Sequence, residues 1–168
     1  MDRLADLNRS RDNVAMPTPY AQHVGSRDAV DVLRESLDAF LTLEARLSPA
    51  SWDRPIAPGK WTVRQVIVHV TQFEMILGNR VRCGVGVPDY VVQPVEQDLL
   101  IAEADAVDGP TALRALIAVR RMNLAYASSL TPSQRHKTVR HPERGTIDVD
   151  DILVTLAGHG VHHLAQIA

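Results

Sequence analysis

Asp148-Val149-Asp150-Asp151-Ile152-Leu153-Val154-Thr155-Leu156-Ala157-Gly158-His159-Gly160-Val161-His162-His163-Leu164-Ala165-Gln166-Ile167 is the stretch whose reading decides the fold. Val149, Ile152, Leu156, His159, His163 and Ile167 recur at steps of three and four. That spacing lays side chains along one face of an α-helix. Asp148 suits the N-cap, and Asp151 falls in the first turn, where acidic groups are favoured. The stripe predicts a core helix, and it carries two imidazoles inward. His159 and His163 are four residues apart and project from the same face, a spacing suited to two imidazoles on one metal ion. His162 points about 100° away from His163 and falls off the stripe.

Working back along the chain, the same period recurs three times. A helix is predicted from Asp108-Gly109-Pro110 to about Leu130, with a proline start signal and Leu113, Leu116, Ile117, Leu124 and Ala127 inward. Thr131-Pro132 ends it, and a polar loop is expected between Thr131 and Thr146. An earlier helix begins at Thr62, where Thr62 and Gln65 form a capping box. Val66, Val70, Phe73 and Leu77 make its stripe, His69 borders that stripe, and Gly84 and Gly86 end it. A first helix spans about Ser26 to Leu47, with Val30, Leu33, Leu37, Phe40 and Leu47 inward and Ser48-Pro49 as its stop. A long connection follows the second helix, and one short helix is expected in it near Val95 to Ala104. Such a length can run back along a whole helix, since ~20 helical residues span ~30 Å. The second and third helices are then parallel. The expectation is an all-α, four-helix, up-down-down-up bundle over residues 26–168, preceded by a flexible arm, residues 1–25.

Composition sets the outer limits. The chain has 168 residues, 45% hydrophobic and only 4% aromatic, enough for one domain with an aliphatic core. The formal net charge is -2, with both signs interspersed, which argues against a nucleic-acid partner. No apolar run reaches the ~18 residues of a membrane span, and Met1 to Ser26 has no apolar h-region. Cys83, the one cysteine, cannot form an intramolecular disulfide. A cytoplasmic protein is expected.

A lone histidine beside a core stripe, such as His69, is commonly a packed, hydrogen-bonded residue. The trio His69, His159 and His163 asks for more. Imidazoles in an apolar interior need polar partners, and a divalent cation supplies one for all three. Three neutral imidazoles leave coordination positions for water or substrate, which distinguishes a catalytic metal from a structural one. The spacing resembles the H-E-x-x-H signature of zinc proteases, but position 160 is glycine, so that mechanism lacks its general base. Gly158 and Gly160 each cost about 1 kcal/mol in a helix interior and suggest room for a ligand or a neighbouring helix. His162 reads as a surface residue, with a hydrogen-bond donor behind the metal ligands as the alternative. His23, His136 and His141 fall in predicted loops, Glu74 reads as solvated, and Cys83 as structural.

Two longer segments add a resemblance. Pro58-Gly59-Lys60-Trp61-Thr62-Val63-Arg64-Gln65-Val66-Ile67-Val68-His69-Val70 resembles the tryptophan-bearing segment with the first metal histidine of the DinB/YfiT-like superfamily. His159-Gly-Val-His162-His163-Leu164-Ala165-Gln166-Ile167 is similar to that family's C-terminal H-x-x-H-H-x-x-Q-I element, and His141-Pro142-Glu143-Arg144-Gly145 to a run before its last helix. The resemblance covers the chain from about Arg27 onward. It implies the same bundle topology, a homodimer, and His69, His159 and His163 holding Zn or Ni. Trp61 is expected at the bundle end rather than against substrate. The implied activity is metal-dependent activation of a thiol or water for transfer to, or hydrolysis of, a small electrophile. The small-molecule substrate includes a low-molecular-weight thiol in the transferases and the mycothiol-dependent isomerase of that family. The alternative is a non-catalytic bundle that binds a small molecule or partner, with a structural or vestigial metal site.

Overall fold

Side-chain caps set where the long helices start. In the computed structural model, which describes residues 17–102 and 104–167, the Asp28 carboxylate accepts the Val30 amide at 2.8 Å and opens α2. Thr62 and Gln65 cap each other's amides at 3.2 and 3.0 Å and open α3. Asp108 accepts the Thr111 amide at 2.8 Å and opens α5. Asp148 and Asp151 exchange amide bonds of 3.0 and 3.1 Å at the start of α7. Each bond satisfies a first-turn donor that the helix itself leaves free. The helices are α1 (Ala21–Val24), α2 (Ala29–Arg46), α3 (Val63–Gly86), α4 (Gln97–Ala102), α5 (Gly109–Ser128), α6 (Pro132–Arg135) and α7 (Val149–Ile167). A two-stranded antiparallel sheet, β1 (Thr138–His141) and β2 (Gly145–Asp148), precedes α7.

Side-chain contacts fix the directions of the four long helices. The Thr71 hydroxyl donates to the Ala112 carbonyl at 3.1 Å, and Arg82 donates to Asn123 at 2.7 Å, so α3 and α5 run parallel. His69 near the start of α3 meets His159 and His163 in the second half of α7. Gly84 near the end of α3 faces Val149 at the start of α7, so these two are antiparallel. Arg135 bonds Asp28 at 2.8 Å and Asp150 at 2.6 Å, tying together the N-terminal ends of α2 and α7. Phe40 and Leu43 late in α2 share a core cluster with Val63 and Val66 early in α3. The order is up-down-down-up, and the connection through α4 carries the chain back so that α5 can run with α3. Among the described residues, no helix is long and apolar enough to cross a membrane.

Three segments differ from expectation. The polar loop between Thr131 and Thr146 instead holds α6 and most of a hairpin, in which Val139 pairs with Ile147 and His141 with Gly145. Alternation decides this: Val139 and Ile147 face the core while their neighbours face outward. Gly145 takes φ +74°, a left-handed conformation that suits glycine at the turn. The long connection adds to this edge: the Val92 amide donates to the Arg140 carbonyl at 2.9 Å, and the Arg140 amide donates to the Tyr90 carbonyl at 3.0 Å. Residues 17–25, expected as part of a flexible arm, pack on α7 through α1, and Val24 is buried; residues 1–16 of that expected arm lie outside the described residues. The first long helix starts at Ala29 rather than Ser26, because Asp28 supplies its cap.

Candidate metal centre

The stripe of α7 places Ile152, Leu156, His159, His163 and Ile167 in the core, and α3 brings His69 to meet them. The three imidazoles are 1%, 3% and 6% exposed for His69, His159 and His163. One ring nitrogen from each can be chosen so that all three lie within 4.8 Å of one another. His69 Nε2 and His159 Nε2 are 3.0 Å apart. His163 Nε2 is buried without a hydrogen-bond partner among the described residues.

Burial dominates the titration of all three. It pushes the pKa of His69 and of His163 down to about 4, and that of His159 down to about 2. The neighbouring imidazoles act in the same direction on His69 and His159, and the Arg120 charge adds to the effect on His159. All three are therefore neutral near pH 7, the form that binds a metal.

A hydrogen-bonded chain orients His163. Its Nδ1–H donates to Gln166 Oε1 at 2.8 Å, which leaves the Nε2 lone pair turned to the centre. Gln166 Nε2 donates to His162 Nε2 at 3.1 Å, so His162 carries its proton on Nδ1 and donates it to His23 Nε2 at 3.2 Å. Fixing the tautomer of a ligating histidine is the usual task of such outer partners. His162, read from the sequence as a surface residue, is half-buried and joins His163 through Gln166 to α1. His23 lies in α1 rather than in a loop.

Aromatic rings close the centre. Trp61 and Phe73 lie with ring centroids 5.1 and 4.7 Å from His69, so Trp61 packs on a candidate ligand and not merely at the bundle end. Tyr20 stands edge-on to His159 at 5.2 Å. The two costly glycines of α7 are explained by neighbours. A Cβ at Gly158 would run into the Tyr20 backbone carbonyl, and one at Gly160 would lie 2.6 Å from Arg120 Nη2. The space they provide belongs to packed protein groups.

Glu74 corrects its reading as a solvated residue. It is 1% exposed and pairs at 2.7 Å with Arg120, itself 0% exposed. Asn123 donates to the other Glu74 oxygen at 2.9 Å, and Arg120 Nη1 donates to Ser36 at 2.6 Å. The signal in the sequence was position: Arg120 falls between Ile117 and Leu124, and Glu74 between Val70 and Leu77, both in core register. Two charges at facing core positions are stable only when paired.

A cavity of about 170 Å³ opens beside His159, with Tyr20, Phe73, Arg80, His141 and Arg144 among its lining. The hairpin supplies His141 and Arg144, which a reading of this segment as a loop left unplaced. A larger open groove of about 760 Å³ near Trp52, Arg64 and Asp108 contains none of the three histidines. His136 pairs with Asp148 at the surface, 3.5 Å away, outside the site. Cys83 is half-buried beside Tyr90, also away from the trio.

Comparison with known proteins places the chain in a family. The family model of the DinB superfamily matches residues 32–167. A protein of Oceanobacillus iheyensis named "Putative metal-dependent hydrolase OB0782" is 30% identical over 117 residues, 68% of this chain and 67% of its own length. A Bacillus mycoides protein with the same descriptive name, BcerKBAB4_2443, is 31% identical over 118 residues, with the same coverage. YfiT from Bacillus subtilis, described as "a probable metal-dependent hydrolase with an unusual four-helix bundle topology", superposes with a TM-score of 0.73. It is 22% identical, and the match covers 83% of this chain and 81% of YfiT. A mycothiol-dependent maleylpyruvate isomerase superposes with a TM-score of 0.66 at 18% identity, over 91% of this chain and 64% of the isomerase.

Proposed function

The chain belongs to the DinB superfamily, and from that premise we propose that it is a metal-dependent enzyme whose divalent cation is held by His69, His159 and His163. The observation that carries this reading is the donor set itself. His163 Nε2 is buried with no hydrogen-bond partner among the described residues, its Nδ1 is committed to Gln166, and His69 and His159 turn Nε2 atoms toward each other. A buried nitrogen left so costs about 1–3 kcal/mol, which a shared cation offsets. Neutral imidazoles suit Zn or Ni.

When bound, the cation would lower the pKa of a thiol or water and make it nucleophilic near neutral pH. The substrates we propose are a low-molecular-weight thiol or water and a small electrophile, in transfer or hydrolysis. The chain's residues provide the rest. Tyr20, Trp61 and Phe73 exclude solvent from the imidazoles, and Gln166 holds His163 in one tautomer. His141 lines the cavity, and burial holds its pKa below the usual imidazole value.

The test is Co(II) substitution followed by addition of a small thiol such as cysteine. Access of the thiol to the metal predicts a new sulfur-to-metal charge-transfer band in the near ultraviolet. An unchanged spectrum at saturating thiol would refute thiol activation and favour the non-catalytic binding module.

A further inference from the structure

The cavity beside His159 carries charges that metal binding does not use. Its walls are apolar, formed by Phe73, Leu77, Val92, Ile147 and Ile152. Its charged lining is Arg80 and Arg144, with no Asp or Glu among the described lining residues. Arg80, from α3, is pulled below the usual guanidinium pKa by burial. It donates to the Gln93 carbonyl and pairs with no carboxylate among the described residues. The Arg144 side chain is 8% exposed, and its Nε is buried without a partner. It reaches Thr18 Oγ1 at 2.9 Å, while its nearest carboxylate, Asp151, stands off at 3.6 Å. Burial and then these two arginine charges hold the pKa of His141 down, against the nearby Glu143 carboxylate, which raises it. His141 Nδ1 accepts the Glu143 amide at 3.2 Å, so its proton is on Nε2 and available to donate.

Two under-neutralised guanidiniums and an imidazole N–H at one apolar cavity make a receptor for a carboxylate. Arginine presents paired donors that match that group, and the low-polarity walls strengthen the attraction. We infer that this cavity binds a small organic acid, its carboxylate held by Arg80 and Arg144, its apolar body against Phe73, Leu77 and Ile152, and its far end toward His159. The substrate class of the proposed enzyme is then a carboxylate-bearing electrophile, an assignment that rests on the metal reading above. Asp151 and Thr18 keep Arg144 in place when the cavity holds no acid.

Benzoate and its neutral isostere benzamide test this by calorimetric titration of the Zn-loaded protein, with zinc content measured on each sample. Benzoate should bind roughly tenfold or more tightly than benzamide. Arg80→Met should abolish that preference, Arg80→Lys should retain part of it, and His163→Ala should leave it in place. Arg80 is the first choice because its one hydrogen bond among the described residues is to the Gln93 carbonyl, so its loss spares the fold; a thermal melt of each variant checks this. Equal binding of the two probes, binding of neither, or a preference that survives Arg80→Met would overturn the inference. A preference lost in His163→Ala but kept in Arg80→Met would place the carboxylate on the metal, overturning the cavity assignment while supporting the metal reading. An Arg80-dependent preference in a protein that takes up no zinc would uphold the anion site and sink the metal reading instead.

Discussion

Replacing Glu74 by leucine should be among the most damaging single changes in this bundle. The substitution leaves Arg120 with a full positive charge at 0% exposure and no anion. Removing one partner of a buried pair costs about 3–5 kcal/mol. Against a total stability of ~5–15 kcal/mol, that is a large fraction. For a chain of this length, each kcal/mol moves the melting point by ~2–4 °C, so Tm should fall by roughly 6–20 °C. The double variant Glu74→Leu/Arg120→Met should recover most of the loss. Ser36 keeps its bonds to the Val32 and Leu33 carbonyls at 2.8 and 3.0 Å, and Asn123 keeps the Glu74 backbone carbonyl at 2.9 Å. One Asn123 N–H loses its Glu74 carboxylate acceptor, and the double change otherwise replaces an ion pair by apolar volume. Metal affinity should follow the same pattern. An unneutralised Arg120 beside Gly160 repels a cation at the neighbouring His159 and His163, and the double variant removes that repulsion. Urea unfolding, together with zinc titration of the metal-free proteins, measures both effects. A loss below ~1 kcal/mol in the single variant would refute the reasoning, because it falls short of the buried-pair range. So would a double variant no more stable than the single.

Gln166→Leu should weaken metal binding by about 10–100-fold with little loss of helicity, because His163 loses the acceptor that fixes its tautomer; unchanged affinity in a zinc competition assay would count against that role. Gly158→Ala forces a methyl group into the Tyr20 backbone carbonyl and should cost about 1–3 kcal/mol or release residues 17–25 from α7. Limited proteolysis would show that release as new cleavage near Tyr20. The metal-free protein should lose stability on acidification. Folded pKa values of about 4 for His69 and His163 and about 2 for His159 lie below the ~6.5 of an unfolded imidazole, so the unfolded chain binds more protons in between. The stabilisation is present above pH ~6.5 and is lost as pH falls through ~4, at up to ~1.4 kcal/mol per pH unit for each imidazole. Equal urea midpoints at pH 7.5 and pH 5 would contradict it.

Much of this molecule was legible in its residues because the informative patterns were local. The Thr62–Gln65 capping box, the Asp108-Gly109-Pro110 start and the α7 stripe each lie within a few turns of one helix, and they placed the bundle and the three histidines. The hairpin was missed because its strands are only four residues long and lie in a polar, charged stretch. Val139 and Ile147 were its only buried alternating positions. Glu74 was misread because a carboxylate on one helix looks solvated until its partner is known, and Arg120 lies 46 residues away on α5. The chain from His163 to His23 spans α7 and α1 and depends on tertiary approach. No spacing rule joins residues 139 positions apart.

The central claim is that His69, His159 and His163 share one cation. Metal content by plasma mass spectrometry on untagged protein, beside the His163→Ala variant and with circular dichroism on both, tests it most directly. The account predicts about one metal ion per chain in the parent protein, lost in a variant that keeps its helicity. Full metal retention in the variant, or no uptake by the parent after incubation with Zn or Ni, would contradict it.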